Sequence, residues 1–219
     1  MPNLPISLLP AASPLVGDEL FVTVQDGVTK YTTGNGIKYV PGSNYGLYSQ
    51  TGSSVPITGI TGISTPTSGS LLDGGTGTLT VPANGFQKGD TFHAKLAGKV
   101  NMANGHTLDI QFKADGSTLV DTGEISMPKT TDNRNWHLDI NFIIRNTGTA
   151  GTASILSSGM FTVRKDAAGE VVSELFSFQN NTTFDTTISN TISIIGIMGP
   201  ACTDTENIYS ELFILNKVF

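Results

Sequence analysis

The chain has 219 residues, of which only 14% are charged and 25 are glycine, and its formal net charge is −6. Because charged residues make up about 25% of ordinary soluble domains, we expect a polar but weakly charged surface. The 12 Lys and Arg residues form no cluster in the sequence, which argues against electrostatic binding to nucleic acid. The length fits one β-sandwich or barrel with a smaller appendage.

Cysteine content and the start of the chain bear on where the protein is made. Cys202 is the single cysteine, so a disulfide within the chain is excluded, and no Cys/His spacing typical of zinc occurs. Residues 1–5 lack a basic n-region, and no stretch approaches about eighteen consecutive apolar residues. We therefore expect synthesis in a host cytoplasm, no membrane insertion, no glycosylation at Asn181, and no cofactor.

The first strand signal lies at residues 20–33. Leu20, Val22 and Val24 alternate with other side chains at the period of a strand, and Asp26-Gly27 is a strong turn signal. The pattern predicts a β-hairpin, and an ordinary hairpin at the edge of a domain is one interpretation of it.

A second interpretation comes from residues 4–33 as a whole, which place an apolar, proline-containing lead before a strand, a glycine turn and a Thr-rich strand. This segment resembles the N-terminal virion-anchoring segment of bacteriophage tail-fibre and head-fibre proteins. The resemblance implies that residues 1–40 join the chain to a capsid or tail protein, and that the protein resides in the virion. The expected anchor residues are Leu4, Ile6, Leu9, Leu20, Val22 and Val24.

Residues 41–76 are rich in Gly, Ser, Thr and Pro, with isolated Ile and Leu residues between them. Such a stretch offers little to bury, and its glycines and prolines interrupt any regular pattern. We expect an extended neck here.

Residues 77–219 alternate apolar and polar side chains with the period of 2 that marks half-buried strands, clearest at 92–102, 108–112 and 136–144. Further strands are expected at 77–81, 118–125, 153–165, 170–178, 184–197 and 208–218. No window shows helical spacing with caps. The predicted fold class is all-β, with a C-terminal jelly-roll β-sandwich, a small N-terminal hairpin anchor and an extended neck.

Three segments of this region carry a second resemblance: the Pro-Asn and Gly-Asp turns of 81–92, the apolar strand 136–140 and the last strand 211–215. Together they resemble the tumour-necrosis-factor-like and C1q-like jelly rolls of phage fibre tips. The resemblance implies a jelly-roll head.

The last strand is apolar on both faces toward its end, with Leu212 and Ile214 on one side and Phe213 and Leu215 on the other. One face can fill the sandwich core, and the resemblance implies that the other meets a neighbouring subunit in a homotrimer. The expected interface residues are Tyr209, Phe213 and Leu215. Burial of the second face under a loop is the alternative.

Catalytic and metal signals are weak. No Gly-x-Ser-x-Gly elbow is present, and we expect His93, His106 and His137 to lie exposed on the surface, with no catalytic or metal role. Asp109, Asp121, Glu124 and Asp139 could supply carboxylate pairs, but any β-sheet surface offers such pairs. We therefore expect no enzyme activity.

If the strands follow jelly-roll order, the turns near 103–105, 126–134, 166–169 and 198–207 gather at one end of the sandwich. Their mixed donors and acceptors suit a host-surface glycan. The candidate ligand-binding residues are Lys129, Asp132, Asn133, Arg134, Asp204 and Glu206.

These expectations combine into a virion structural protein, a trimeric fibre or spike whose jelly-roll head binds a host-surface ligand. The alternative within that class is a capsid decoration, cement or vertex protein without receptor binding. A cellular ligand of the C1q or tumour-necrosis-factor type and a capsule-degrading enzyme are the remaining alternatives.

Overall fold

The computed structural model describes residues 20–25, 28–33, 45–166 and 170–218. These residues contain sixteen β-strands and no helix, which confirms the all-β prediction for this part of the chain. The chain divides into two compact units, Met1–Ser43 and Asn44–Phe219. Within the described ranges there is no helix with the length and apolar character needed to cross a membrane.

The first unit contains an antiparallel pair of strands, β1 (Leu20–Gln25) and β2 (Val28–Thr33). Gln25 lies opposite Val28, so the pair is the predicted hairpin. Leu20, Val22 and Val24 occupy alternate positions in the sequence of β1. The predicted turn residues Asp26 and Gly27, and the predicted anchor residues Leu4, Ile6 and Leu9, lie outside the described residues.

The second unit is a sandwich of two antiparallel sheets. The strands of the larger sheet are β3 (Tyr45–Gln50), β4 (Ile57–Thr58), β6 (Gly75–Gly77), β8 (Thr91–Met102), β12 (Thr130–Asn146), β13 (Ser154–Arg164), β14 (Val171–Asn180) and β16 (Asn207–Lys217). Those of the smaller sheet are β5 (Thr67–Ser70), β7 (Thr80–Val81), β9 (Thr107–Ala114), β10 (Ser117–Asp121), β11 (Ile125–Ser126) and β15 (Asn190–Met198).

The strand order is that of a jelly roll. The larger sheet runs β14-β13-β12-β8-β16-β3-β6, and the smaller runs β10-β9-β15-β5. From β8 onward, the chain passes from one sheet to the other between β8 and β9, between β10 and β12, and on either side of β15, so the strands before and after each crossing lie in opposite sheets. The β13 and β14 strands extend the larger sheet beyond β12.

The inward faces of the two sheets form one core. In β8 the predicted alternation holds, because every second residue from Phe92 to Met102 is buried while those between are exposed or half-buried. Trp136, Phe142 and Phe112 are among the largest fully buried side chains. Burial of apolar side chains stabilises the sandwich by about 25 cal/mol per Å² of apolar surface.

The neck predicted at residues 41–76 is wrong for its described part, residues 45–76, because these belong to the sandwich. The β3 and β4 strands pair with β16, and β5 pairs with β15. Tyr48, Ile57 and Leu71 are buried in the core. A few isolated apolar residues are enough to hold this stretch on the sandwich, because the longer strands already close the core. The short strands satisfy their backbone hydrogen-bonding groups by pairing with the longer ones. The boundary of the sandwich therefore lies at residue 44, not at 77.

Two glycines in this stretch allow close approach of strands. A Cβ on Gly75 would clash with the Ser49 carbonyl oxygen, and a Cβ on Gly77 would clash with the Leu47 carbonyl oxygen. Gly77 also has a φ of +103°, which residues with a side chain rarely adopt. Gly75, within the predicted neck, and Gly77, just beyond it, are instead required for the pairing of β6 with β3.

The last strand contains a β-bulge that overturns part of the predicted trimer interface. Ser210 pairs with Gly98 and Leu212 pairs with Ala97, so Glu211 is an extra residue and the alternation shifts by one position. Phe213 and Leu215 consequently point into the core, where they are 0% and 1% exposed. Tyr209 lies on the outer face of β16, now together with Leu212.

Candidate functional site

Three loops meet at one end of the sandwich, as jelly-roll order predicts. The Gly105 N–H donates to the Met127 carbonyl, and the Asp166 N–H donates to the Lys129 carbonyl. Residues 127–131 therefore contact both the 103–106 turn and the 165–166 turn. The predicted turn residues 167–169 lie outside the described part of the chain.

A bulge in β12 shapes this end. Thr130 pairs with Met102 and Arg134 with Val100, which leaves three residues of β12 opposite a single residue of β8. Asp132 and Asn133 have φ values of +59° and +52°, in the left-handed region that Asp and Asn tolerate better than most residues. Both side chains are exposed at the crest of the bulge.

Beside this bulge lies a shallow hollow of about 220 Å³, which we name the basic depression; it is lined by Lys99, Asn133, Arg134, Asn135 and Arg164. Lys99 and Asn135 are paired across β8 and β12, and the Lys99 Nζ donates to the Asn135 Oδ1 at 2.6 Å. Arg164 follows Val163, the β13 partner of Trp136, at the end of the neighbouring strand.

Arg134 is held in place by Asp166. Its Nε donates to the Asp166 Oδ1 at 3.2 Å, while the Thr131 N–H and hydroxyl donate to the two oxygens of the same carboxylate at 2.6 Å each. The Thr131 hydroxyl is the largest of the effects that hold the pKa of Asp166 below its usual value of 3.8. The carboxylate is therefore charged at neutral pH and orients the guanidinium.

Arg164 differs from Arg134 in its surroundings. It is exposed, and no carboxylate lies in ion-pair distance of it among the described residues. Lys99 donates to a neutral amide instead of to an acid. Since Asp166 offsets only one of the three cations, the basic depression carries a net positive charge within a chain whose overall charge is −6.

A buried tryptophan fixes the backbone at Lys99, one of the residues that line the basic depression. The Trp136 Nε1 donates to the Lys99 carbonyl at 3.1 Å and to the Tyr209 carbonyl at 3.2 Å, so one indole connects the backbones of β8 and β16. Tyr209 is half-buried and pairs with Lys99 across the sheet. The depression thus adjoins an aromatic residue on the outer face of the larger sheet.

The structure divides the predicted ligand-binding residues into separate groups. Asn133 and Arg134 line the basic depression, with Lys129 and Asp132 exposed close to them in the chain. Asp204 lies in another loop, where the Thr61 hydroxyl donates to its Oδ1 at 3.0 Å.

Sequence reasoning missed Lys99, Asn135 and Arg164. The alternation in β8 places Lys99 on the outer face, and this pattern was the one sequence signal that could have identified Lys99 as a candidate. That Asn135 lies opposite Lys99 depends on the register of β12, which the bulge at 131–133 determines.

Glu206 is not a ligand-binding residue, because its side chain is buried at 4% exposure. It accepts hydrogen bonds from the N–H groups of Ala103 at 2.6 Å and Thr203 at 2.7 Å, and from the His106 Nδ1 at 2.9 Å. Burial alone would raise the pKa of Glu206, but these hydrogen bonds outweigh it and hold the pKa below 4.5. The carboxylate fastens the 203–206 loop to the 103–106 turn.

The expectation that the three histidines lie exposed is wrong as well. His106 contacts Glu206, His93 lies 3.0 Å from the Asp139 Oδ1, and His137 is half-buried on the outer face. The carboxylates explain the partial burial of the first two, because they satisfy a ring nitrogen that would otherwise need water.

His106, Cys202 and Glu206 bring one ligand atom each to within 4.8 Å of one another. Burial and the charge of Glu206 raise the pKa of Cys202 to about 11, so the thiol is protonated at neutral pH. A metal requires deprotonated ligands. The Glu206 oxygens already accept hydrogen bonds from four donor groups, which belong to Ala103, His106 and Thr203. The arrangement fits a hydrogen-bonded link between loops better than a metal centre.

Two of the predicted carboxylates meet on the smaller sheet. The Gln111 Nε2 donates to the Asp109 Oδ2 at 2.7 Å and to the Asp121 Oδ2 at 3.1 Å. Burial raises the pKa of Asp109, and the charge of Asp121 raises it further, while hydrogen bonds from Thr122 and Gln111 oppose the rise. Asp139 instead pairs with His93 on the other sheet.

No family model matches the chain, and no curated protein matches it. Among solved structures, the chain is similar to the CBM2 module of the evolved Dit of Lactobacillus casei BL23 phage J-1. The two share 9% sequence identity with a TM-score of 0.29, over 81% of this chain and 96% of that chain.

Proposed function

We propose that this protein is a structural component of a bacteriophage particle. In this proposal, residues 1–40 attach the chain to a capsid or tail protein, and the sandwich forms a head that binds a host-surface ligand. The observation that carries the proposal is the division of the chain into a small N-terminal unit with a hairpin and a separate sandwich. A fibre protein needs such a division, because attachment and recognition act on different partners.

Two features support a role on a particle surface. The segment 4–33 resembles virion-anchoring segments, and its strands form the hairpin that this resemblance implies. The sandwich carries few charges and many hydroxyl side chains, so it stays polar without strong electrostatic attraction to nucleic acid.

The head acts as a homotrimer in this proposal. The support is the outer face of β16, where Leu212 is 40% exposed and Ile214 and Tyr209 are half-buried beside it. These residues replace Phe213 and Leu215 as the proposed contact. Three copies of a weak binding site on one head would raise avidity without a tight single contact.

The protein is proposed to bind without catalysing a reaction. The basic depression presents cations and amides, and its five lining residues include no carboxylate, hydroxyl or thiol group. The Asp109 and Asp121 pair lies on the smaller sheet, whereas the depression is built on strands of the larger one.

Two measurements test this function. Cryo-electron microscopy of particles, with an antibody fragment against the sandwich as a marker, should place the chain at a fibre or spike on the capsid or tail. The fluorescently labelled full-length protein should adsorb to host cells. Labelling of the particle without adsorption of the protein would favour the alternative, a decoration or cement protein, and absence from the particle would refute the proposal.

A further inference from the structure

We propose that the basic depression binds one anionic group carried by a host-surface polysaccharide, either the carboxylate of an acidic sugar or a phosphate. The inference rests on the proposed host-binding function and names its ligand class. The chemistry shared by both groups is a compact anion with several oxygen acceptors.

The charge of the depression argues for an anion. Three of the 12 Lys and Arg residues of an acidic chain converge there. Arginine side chains bind carboxylate and phosphate oxygens through two parallel N–H groups, and Asp166 engages only the Nε of Arg134 among the described contacts. Among the contacts of the described residues, the terminal nitrogens of Arg134 and the whole guanidinium of exposed Arg164 remain for a ligand.

The size of the depression argues for a single group. Its volume of about 220 Å³ lies below the range of about 300–1,000 Å³ typical of drug-sized ligands, so it fits the charged end of one sugar unit. An extended polyanion such as nucleic acid would also meet the negative charge of the rest of the chain, since the whole chain carries a net charge of −6.

The neutral neighbours argue for a sugar. Asn133 and Asn135 are exposed amides, which donate to and accept from hydroxyl groups. Tyr209 adjoins Lys99 on the outer face and offers an amphipathic ring beside the cations. A cationic centre with amides and an aromatic residue around it suits an acidic sugar better than an inorganic ion alone.

The test is titration of the ¹⁵N-labelled full-length protein, followed by NMR through the arginine side-chain signals. The probes are glucuronate, N-acetylneuraminate, glycerol 3-phosphate and neutral glucose. The anions should shift the Arg134 and Arg164 signals, and glucose should not. A preference for the sugar acids or for glycerol phosphate identifies which source of negative charge the site takes.

Variants locate the binding. Arg164→Gln and Lys99→Gln should each weaken binding of the preferred anion about tenfold or more, since each removes one charge-assisted hydrogen bond. Arg145→Gln and Lys88→Gln are the matched controls, because they remove the same charges from exposed positions at the opposite end of β12 and β8. Equal weakening by the controls would overturn the site.

The failure of this inference is distinguishable from failure of the proposed function. If no probe anion binds while the labelled protein still adsorbs to host cells, the ligand class is wrong and the function stands. If the anions bind at the depression and the protein adsorbs to no host cell, the anion site stands and the host-binding function is wrong. Binding of an acidic peptide in preference to every sugar would overturn the polysaccharide assignment.

Discussion

Glu206 accepts a hydrogen bond from His106 at 2.9 Å, although 100 residues separate the two in the sequence. The same carboxylate accepts the N–H groups of Ala103 and Thr203, so one buried charge holds together two loops at the end of the sandwich. A charge predicted to face a ligand is thus part of the framework that holds this end of the sandwich together.

Replacing this carboxylate with an amide should destabilise the fold. Glu206→Gln removes the charge and places an NH₂ group where two N–H donors now point, so we expect a loss of about 1.5–3 kcal/mol in the free energy of unfolding. Urea denaturation followed by circular dichroism measures the loss. Glu211→Gln, an exposed position in the nearby bulge, is the control and should change the stability little.

The same variant tests how the contribution of Glu206 to stability depends on pH. The pKa of Glu206 is lower in the folded protein than its ordinary value of 4.5, so its stabilisation is present above pH 4.5 and is lost as the pH falls through the folded pKa. The stability difference between wild type and Glu206→Gln should therefore shrink as the pH is lowered below 4.5. A difference that stays constant down to strongly acidic pH would contradict the role of the charge.

Asp109 should show the opposite sign. Because its folded pKa is raised above 3.8, the protein loses stability as the pH rises through that raised pKa. Asp109→Asn should stabilise the protein at neutral pH by about 0.2–1 kcal/mol, the usual size of a cross-strand charge interaction, and should give no gain well below pH 3.8. Glu124→Gln, an exposed acid in the following turn, serves as the control for net charge.

Truncation tests the boundary of the sandwich. A chain of residues 44–219 should unfold cooperatively, whereas residues 77–219 should not. Removal of 44–76 takes away Tyr48, whose ring packs 5.7 Å from that of Phe213, and the Leu71 carbonyl that accepts from the Ser210 hydroxyl. Thermal melts of the two fragments measure the difference. A cooperative melt of residues 77–219 would show that the sandwich folds without residues 44–76, as the predicted neck requires.

Substitutions in β16 separate folding from assembly. Phe213→Ala should destabilise the fold by about 3–5 kcal/mol, as expected for a large side chain lost from a core. Leu212→Asp changes an exposed outer-face residue and should leave the melting temperature nearly unchanged while converting the proposed trimer to a monomer. Light scattering of the wild-type protein and of both variants provides the readout, and a monomeric wild type would end the trimer proposal.

Strand existence was predictable from particular residues. The alternation from Phe92 to Met102 identified β8 and its buried face, because the period of side chains along a strand is a local property. The dipeptide Asp115-Gly116 is a strong turn signal in the sequence, and both residues indeed have positive φ values, 44° and 93°. The same logic failed in β16, since one extra residue at Glu211 reverses the two faces and leaves no mark in the apolar pattern.

The basic depression and the Glu206 link depended on the tertiary structure. Lys99 and Asn135 meet only because β8 and β12 pair in one register, and Arg164 joins them from a third strand. The sequence by itself determined the β class, the strands and their turns, because backbone preference and alternation act between near neighbours. Register, bulges and the pairing of residues 45–76 were decided by contacts between distant segments, whose free energies depend on how the whole core packs.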